Sequence, residues 1–287
     1  MGSKKGKPFE LIAGIITLLL AVTLTFATML LVSRCTKAVS TAGSISNSPS
    51  GPTLPPPAPT LVPNPYLTED FVYEDGYLTC LAADSWLGVD VSEHQGIIDW
   101  ETVATTPVQF AMVRLGFRGW GSEGKIHADA QGIQNLTGAQ EVGLQVGVYF
   151  FSQAISEEEA VEEARFLLQL LDGRELDLPV VFDWETVSSE DARTIHMDAK
   201  TLHACTLAFC RTIEEAGYDA MVYFNLDLGR RMFQLLKLQE EGYDFWLAMY
   251  SDKLNYAYRV QMWQYTSSGT VAGIQGKVDL NLYFPHA

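Results

Sequence analysis

The chain has 287 residues, 47% of them hydrophobic and 19% charged, with a formal net charge of −16. That length holds one large domain or two small ones, with apolar content enough for a sizeable core. The charge is uneven: residues 38–287 carry 14 basic against 34 acidic side chains, which argues against nucleic acid as a partner because such binding rests on neutralising phosphates.

Lys4, Lys5 and Lys7 precede an uncharged run of 22 residues, Leu11 to Val32, which Arg34 and Lys37 follow. About 20 apolar residues cross a bilayer as a helix, whereas the apolar part of a cleaved signal peptide is shorter. Residues 1–10 are therefore expected to be a short basic cytoplasmic segment and 11–33 a single transmembrane anchor. The lysines orient it with the bulk of the chain outside the cell. Ser40 and Ala42 leave open a cleavage that would release a secreted form. Residues 34–65 are rich in Ser, Gly, Thr and Pro, including Pro55-Pro56-Pro57, and are expected to form a disordered, semi-extended linker. Residues 66–86, acidic and aromatic, are expected to be a lead-in packed on a domain that fills 87–287.

In that domain strands and helices alternate. Strand-like runs fall at 87–92, 110–116, 145–152, 178–185, 219–225, 244–250, 260–265 and 278–284, with helical patterns between the first six. The clearest helix opens at Ser156, with Glu159 three residues on, and stops near Gly173. Another runs from about Asp198 to Ala216, ended by Gly217. Eight strands with mostly helical crossovers predict an α/β fold, an irregular TIM-like barrel of eight strands and about five helices. An open doubly wound sheet is the alternative, but no strand is followed by a Gly-rich phosphate loop.

The four cysteines have no CxxC or Cys/His metal spacing, and free or buried thiols are expected over a bridge from Cys80 to Cys205 or Cys210. No metal or cofactor is implied. His94 is read as a structural residue, since no second histidine lies at ligand spacing. Glu157, Glu158, Glu159, Glu162 and Glu163 are read as the solvated start of a helix. Asn135-Leu136-Thr137 matches a glycosylation sequon, a pattern common by chance.

The strand Leu178 to Glu185 is proline-marked, β-branched and apolar, yet it ends in two carboxylates. Alternation along a strand puts Asp183 and Glu185 on one face and Trp184 on the other. A barrel brings the C-terminal ends of its strands to one face. Those ends carry Asp90, Tyr149, Asp183, Glu185, Tyr223, Trp246, Tyr250, Trp263, Asp279 and Asn281. One strand-end aspartate is more often a cap than a catalyst. Acids at the ends of several strands, ringed by aromatics, suit a sugar site, where rings stack on pyranose faces and acid pairs act on glycosidic bonds.

The run Asp90-Val91-Ser92-Glu93-His94-Gln95-Gly96, with Gly147-Val148-Tyr149, Phe182-Asp183-Trp184-Glu185, Trp246-Leu247-Ala248-Met249-Tyr250, Trp263-Gln264-Tyr265 and Val278-Asp279-Leu280-Asn281, resembles glycoside hydrolase family 25. The resemblance covers about residues 86–285 and implies the same irregular barrel. It departs at Phe150, where many members carry histidine. By motif it implies Glu185 as the general acid, Asp183 as the second key carboxylate, and Asp90 and Asp279 as supporting acids. Tyr149, Tyr223, Trp246, Tyr250, Trp263 and Asn281 are the expected substrate contacts. The implied activity is that of the bacterial and phage lysozymes, muramidases that cleave peptidoglycan glycan strands. Crowding is expected to keep Glu185 protonated and leave Asp183 ionised. The i, i+2 spacing fits retaining and inverting geometries equally. A wall-binding module without turnover, or an enzyme for another glycan, is the competing reading.

Overall fold

The computed structural model describes residues 58–285. The expected cytoplasmic segment, the anchor at 11–33 and most of the linker lie outside the described residues. Among those described, no helix is long and apolar enough to cross a membrane.

The chain first runs along the barrel wall. Val62 N–H donates to Gln239 Oε1 at 2.7 Å and Asn64 N–H to the Ala257 carbonyl at 3.0 Å, so contacts with the domain begin within the range expected for the linker. A hairpin follows, β1 (Phe71–Glu74) and β2 (Tyr77–Cys80). Its two-residue turn, Asp75-Gly76, has φ of 51° and 88°, the left-handed pair that matches strand twist. Phe71 sets its ring edge-on to Trp263 at 5.2 Å and is buried, which anchors the hairpin.

The remaining elements are β3 (Trp86–Val91), α1 (Trp100–Val103), β4 (Phe110–Arg118), β5 (Ile126–Ala128), α2 (Gly132–Glu141), β6 (Gln145–Ser152), α3 (Glu157–Leu171), β7 (Val180–Trp184), α4 (Ala199–Glu215), β8 (Ala220–Asn225), α5 (Leu226–Arg231), α6 (Leu235–Glu240), β9 (Asp244–Ala248), β10 (Met262–Gly269) and β11 (Val278–Tyr283). Eight strands close in the order β3-β11-β10-β9-β8-β7-β6-β4, with β4 back on β3, while β5 is a flap on β4. All barrel pairs are parallel except those of β11, which runs antiparallel to both β10 and β3. The eight expected strands form the barrel. Five helical crossovers are present as well, but the β8–β9 crossover is split into α5 and α6, giving six α-helices among the described residues.

Local signals explain the helix ends. Ser156 Oγ accepts from the Glu159 N–H at 3.3 Å, and Glu159 Oε2 reaches back to the Ile155 N–H at 2.9 Å. Asp172 and Gly173, at φ 49° and 75°, end α3 in the left-handed region. Asp198 Oδ1 accepts from the N–H groups of Lys200 and Thr201, both at 2.8 Å, as an N-cap for α4.

The barrel has two cores. Val180, Phe182 and Trp184 of β7 point outward to the helices, while Val181 points inward with Phe110, Met112, Met221 and Met262. Strands buried on both faces read as unbroken apolar runs. Gly88 has a specific reason: a Cβ there would lie 2.3 Å from the Phe110 ring inside the barrel. The cysteines at 80, 205 and 210 are free and buried. Asn135 is 1% exposed inside α2, so its sequon lies in the packed core of the domain.

Candidate active site

The lower barrel is filled by aromatic, aliphatic and sulfur-bearing side chains such as Phe110, Val181 and Met221, and toward the C-terminal strand ends the interior becomes polar. There a cavity of about 240 Å³ is lined by Asp90, Asp183, Glu185, Asp279, Tyr149, Tyr223, Trp246 and Tyr250, together with Ser92, His94, Gln95, Arg114, Phe151 and Gln264. A larger groove, about 860 Å³, lies between residues 61–69 and α5–α6, but among the described residues its only charged lining groups are Glu69 and Arg230. The convergence of acids, and not the volume, marks the candidate site.

Strand register assembles it. Asp183 on β7 is level with Phe151 on β6 and Tyr223 on β8, and Tyr223 with Trp246 on β9. Tyr149 and Tyr223 meet Trp246 edge to face at 6.0 and 5.0 Å, an aromatic wall in favourable geometry. Opposite it, Asp90 and Asp279 are direct partners across β3 and β11. A register shift in the β4–β6 pairing between Arg114 and Gly116 re-aims β4 beside the site, a common use of bulges.

Eight of the ten expected site residues line the cavity; Trp263 and Asn281 do not. Trp263 is fully buried on the outward face of β10, its Nε1 donating to the Met249 carbonyl at 2.8 Å. The pleat turns Trp263 and Tyr265 toward the outer core and Gln264 inward. Asn281 is likewise fully buried. Its Nδ2 donates to Asp90 Oδ2 at 2.8 Å and its Oδ1 accepts from Trp246 Nε1 at 2.9 Å, so both ends are engaged within the protein. Phe150, the departure from the family pattern, is also buried and faces Phe209 outside the barrel. His94, expected to be structural, is exposed and borders the cavity.

Burial pushes all four carboxyls up, and repulsion adds to it at Asp183, Glu185 and Asp279. Asp90 reaches about 6, raised by burial and restrained by hydrogen bonds from Asn281 and then Gln264. Glu185 reaches about 7 through burial and then the Asp90 charge. Asp279 reaches about 8 through burial, Asp90 and Glu185. Asp183 is pushed well above the carboxylate range by burial, then Glu185 and Asp90, with only Arg114 opposing. Burial and these neighbours thus work against the expected ionised Asp183. Its buried Oδ1 has no hydrogen-bond partner among the described residues, which favours the neutral acid. Arg114, the one guanidinium among the lining residues, is held by Asp129 at 2.7 Å and Glu93 at 3.5 Å.

A second polar web stands behind Glu185. Gln153 Nε2 donates to the Glu185 carbonyl at 2.6 Å, and Gln153 Oε1 accepts from Thr194 Oγ1 at 3.3 Å. Next to it Glu163 accepts from Arg118 Nε at 2.7 Å and Ser152 Oγ at 2.6 Å. Glu163 is fully buried, so the acidic start of α3 is not wholly solvated: its sixth and seventh residues, Glu162 and Glu163, turn onto Arg118. Among the described residues no group of three or more His, Cys, Asp or Glu is arranged to hold a metal ion.

Comparison with known proteins agrees with this fold. The chain is 28% identical over 210 residues to the uncharacterized protein YegX of Escherichia coli K12, covering 68% of each. It is 24% identical over 195 residues to an autolytic lysozyme of Clostridium acetobutylicum, covering 68% of this chain and 54% of that protein. The modular autolysin LytC of Streptococcus pneumoniae, solved with a synthetic peptidoglycan ligand, superposes with a TM-score of 0.61 at 27% identity over 75% of this chain. This chain spans about half of LytC, 52%. A bacterial lysozyme of Streptomyces coelicolor shares the fold, with a TM-score of 0.57 at 21% identity, covering 71% of this chain and 94% of that one. The family model for glycosyl hydrolases family 25 matches residues 89–274, and the chain belongs to that family.

Proposed function

We propose that the chain is a peptidoglycan hydrolase that cleaves the β-1,4 bond between N-acetylmuramic acid and N-acetylglucosamine. The observation that carries this reading is the convergence of Asp90, Asp183, Glu185 and Asp279 on one aromatic-walled cavity in a chain of this family. LytC, whose structure holds a peptidoglycan ligand, supports the substrate class.

In this reading Glu185 is the general acid. Raised to about 7, it carries a proton up to about neutral pH, gives it to the departing glycosidic oxygen, and regains one from the water that adds to the anomeric carbon. Asp183, neutral and beside it, orients the acetamido group of the sugar as donor and acceptor together. Asp90 supplies the negative charge that stabilises the oxocarbenium-like state, and Asp279 holds a proton next to it. Trp246, Tyr149 and Tyr223 form the sugar platform.

The same reading makes residues 11–33 a membrane anchor that holds the hydrolase outside the cell, close to the wall. The uncharged run from Leu11 to Val32 behind three lysines supports it.

The test is digestion of purified cell wall by wild type and Glu185→Gln, with released fragments identified by mass spectrometry. Wild type is expected to release fragments with N-acetylmuramic acid at the reducing end, and the variant about 10²–10⁴-fold fewer. Equal clearing by the variant removes Glu185 from its role. No release by wild type favours a wall-binding module, and fragments ending in another sugar an enzyme for a different linkage.

A further inference from the structure

Gln264 stands where the site's polar contacts meet. Its Nε2 donates to Asp90 Oδ2 at 2.9 Å. Its Oε1 accepts from the hydroxyls of Tyr223 at 3.3 Å and Tyr250 at 3.2 Å. The residue is 4% exposed, and register places it between Ala248 on β9 and Asn281 on β11. Turning the amide over would set Oε1 against Asp90 Oδ2, two acceptors with no proton between them. The acceptor-only carboxylate thus sets the amide orientation that offers its N–H to Asp90, and the two phenols, which can donate or accept, donate to the Oε1 left facing them. Asn281 supplies a second N–H to the same oxygen, and Trp246 orients that amide in turn.

We propose that Gln264 is a positioning residue: by holding Asp90 through an amide N–H whose carbonyl oxygen is engaged by two phenols, it makes Asp90 the standing charge of the site and leaves the exchangeable proton to Glu185. The inference rests on the glycan-cleaving reading of this cavity and adds a residue to which that reading gives no role. The titratable and charged groups that line the cavity with Asp90 come from every neighbouring element: Asp279 on β11, Asp183 on β7 with Glu185 just beyond, Arg114 on β4, Tyr149 on β6, Tyr223 on β8, Tyr250 after β9 and His94 after β3. Asp90 reaches about 6, and hydrogen bonds from Asn281, Gln264 and its own backbone N–H are what lower it. Glu185 and Asp279 are pushed up by burial and by Asp90 itself. Without Gln264, Asp90 competes for the proton that Glu185 must deliver.

Two variants of the full chain test this, Gln264→Leu and the near-isosteric Gln264→Glu. The Asp90 carboxyl is titrated by carbon-13 NMR, assigned with Asp90→Asn, and turnover of cell-wall glycan is followed across about pH 4–8. In Gln264→Leu, Asp90 is expected to titrate about one pH unit higher, with kcat near neutral pH down about tenfold or more and KM changed far less. Gln264→Glu should work only at acid pH: its protonated carboxyl can still donate to Asp90, and its ionised form repels it. An unchanged Asp90 titration in Gln264→Leu overturns the proposal, as does a Gln264→Glu profile parallel to that of Gln264→Leu. The titration needs no turnover, so a failed clamp is distinguished from a wild type that releases no fragments.

Discussion

Asp90 and Asp279 face each other as direct register partners on the antiparallel β3–β11 pair, which sets two acids side by side on the inner face of the barrel. Like charges so placed destabilise a sheet. The barrel tolerates them because the two are treated differently. Asp90 receives two amide N–H groups, whereas Asp279 is pushed to about 8 and keeps its proton at neutral pH.

This asymmetry predicts a pH-dependent stability of unusual sign. A carboxyl whose value is raised in the folded state binds its proton more tightly there than in the unfolded chain, where Asp and Glu titrate near 4. Its contribution is complete below about pH 4 and is lost as pH rises through the folded values, here about 6 to about 8. Melting temperature should therefore fall between about pH 4 and pH 8. Asp279→Asn should flatten that fall and stabilise the protein at pH 8 by on the order of 1 kcal/mol, while lowering activity. Calorimetry at both pH values checks it; a variant less stable than wild type at pH 8 contradicts it.

Glu163 and Arg118 predict a large penalty for half a pair. Arg118→Met leaves a fully buried carboxylate with only Ser152 and a backbone N–H beside it and should cost about 3–5 kcal/mol. Arg118→Met with Glu163→Leu should cost clearly less than the single change. Urea unfolding of the three proteins measures this coupling, and simple additivity would show that the pair is not a unit.

Trp263 and Trp246 separate packing from chemistry. Trp263→Phe should lower stability by about 1–2 kcal/mol and leave kcat/KM of the folded protein within about twofold. Trp246→Phe removes the donor that orients Asn281 and part of the sugar platform, so kcat/KM should fall about tenfold or more. Melting curves and turnover on one wall preparation decide between them. A Trp263→Phe defect confined to turnover would return that residue to the site.

Gly88→Ala drives a methyl into the Phe110 ring. With Phe110 fully buried, overpacking should destabilise by about 1–3 kcal/mol, and Phe110→Leu in the same chain should recover part of it. Chemical denaturation of the single and double variants supplies the comparison.

By itself the sequence determined the eight strands, the five crossovers and the four acids, because each rests on a local signal. Periodicity two marks strands, capping residues mark helix ends, and an acid at the end of an apolar run stands out against its neighbours. Only the tertiary structure decided the rest, since it depends on what lies across the barrel. The pleat of β10 against its partners turned Gln264 inward and Trp263 outward, a choice that three polar or aromatic residues in a row do not reveal. Glu163 reads as one more acid on a solvated helix until α3 packs it onto Arg118. The upward push on Asp183 has the same origin: in sequence it is one more strand-end acid, but a carboxyl's charge is set by burial and by neighbours through space. Those neighbours, Asp90 and Arg114, come from other strands.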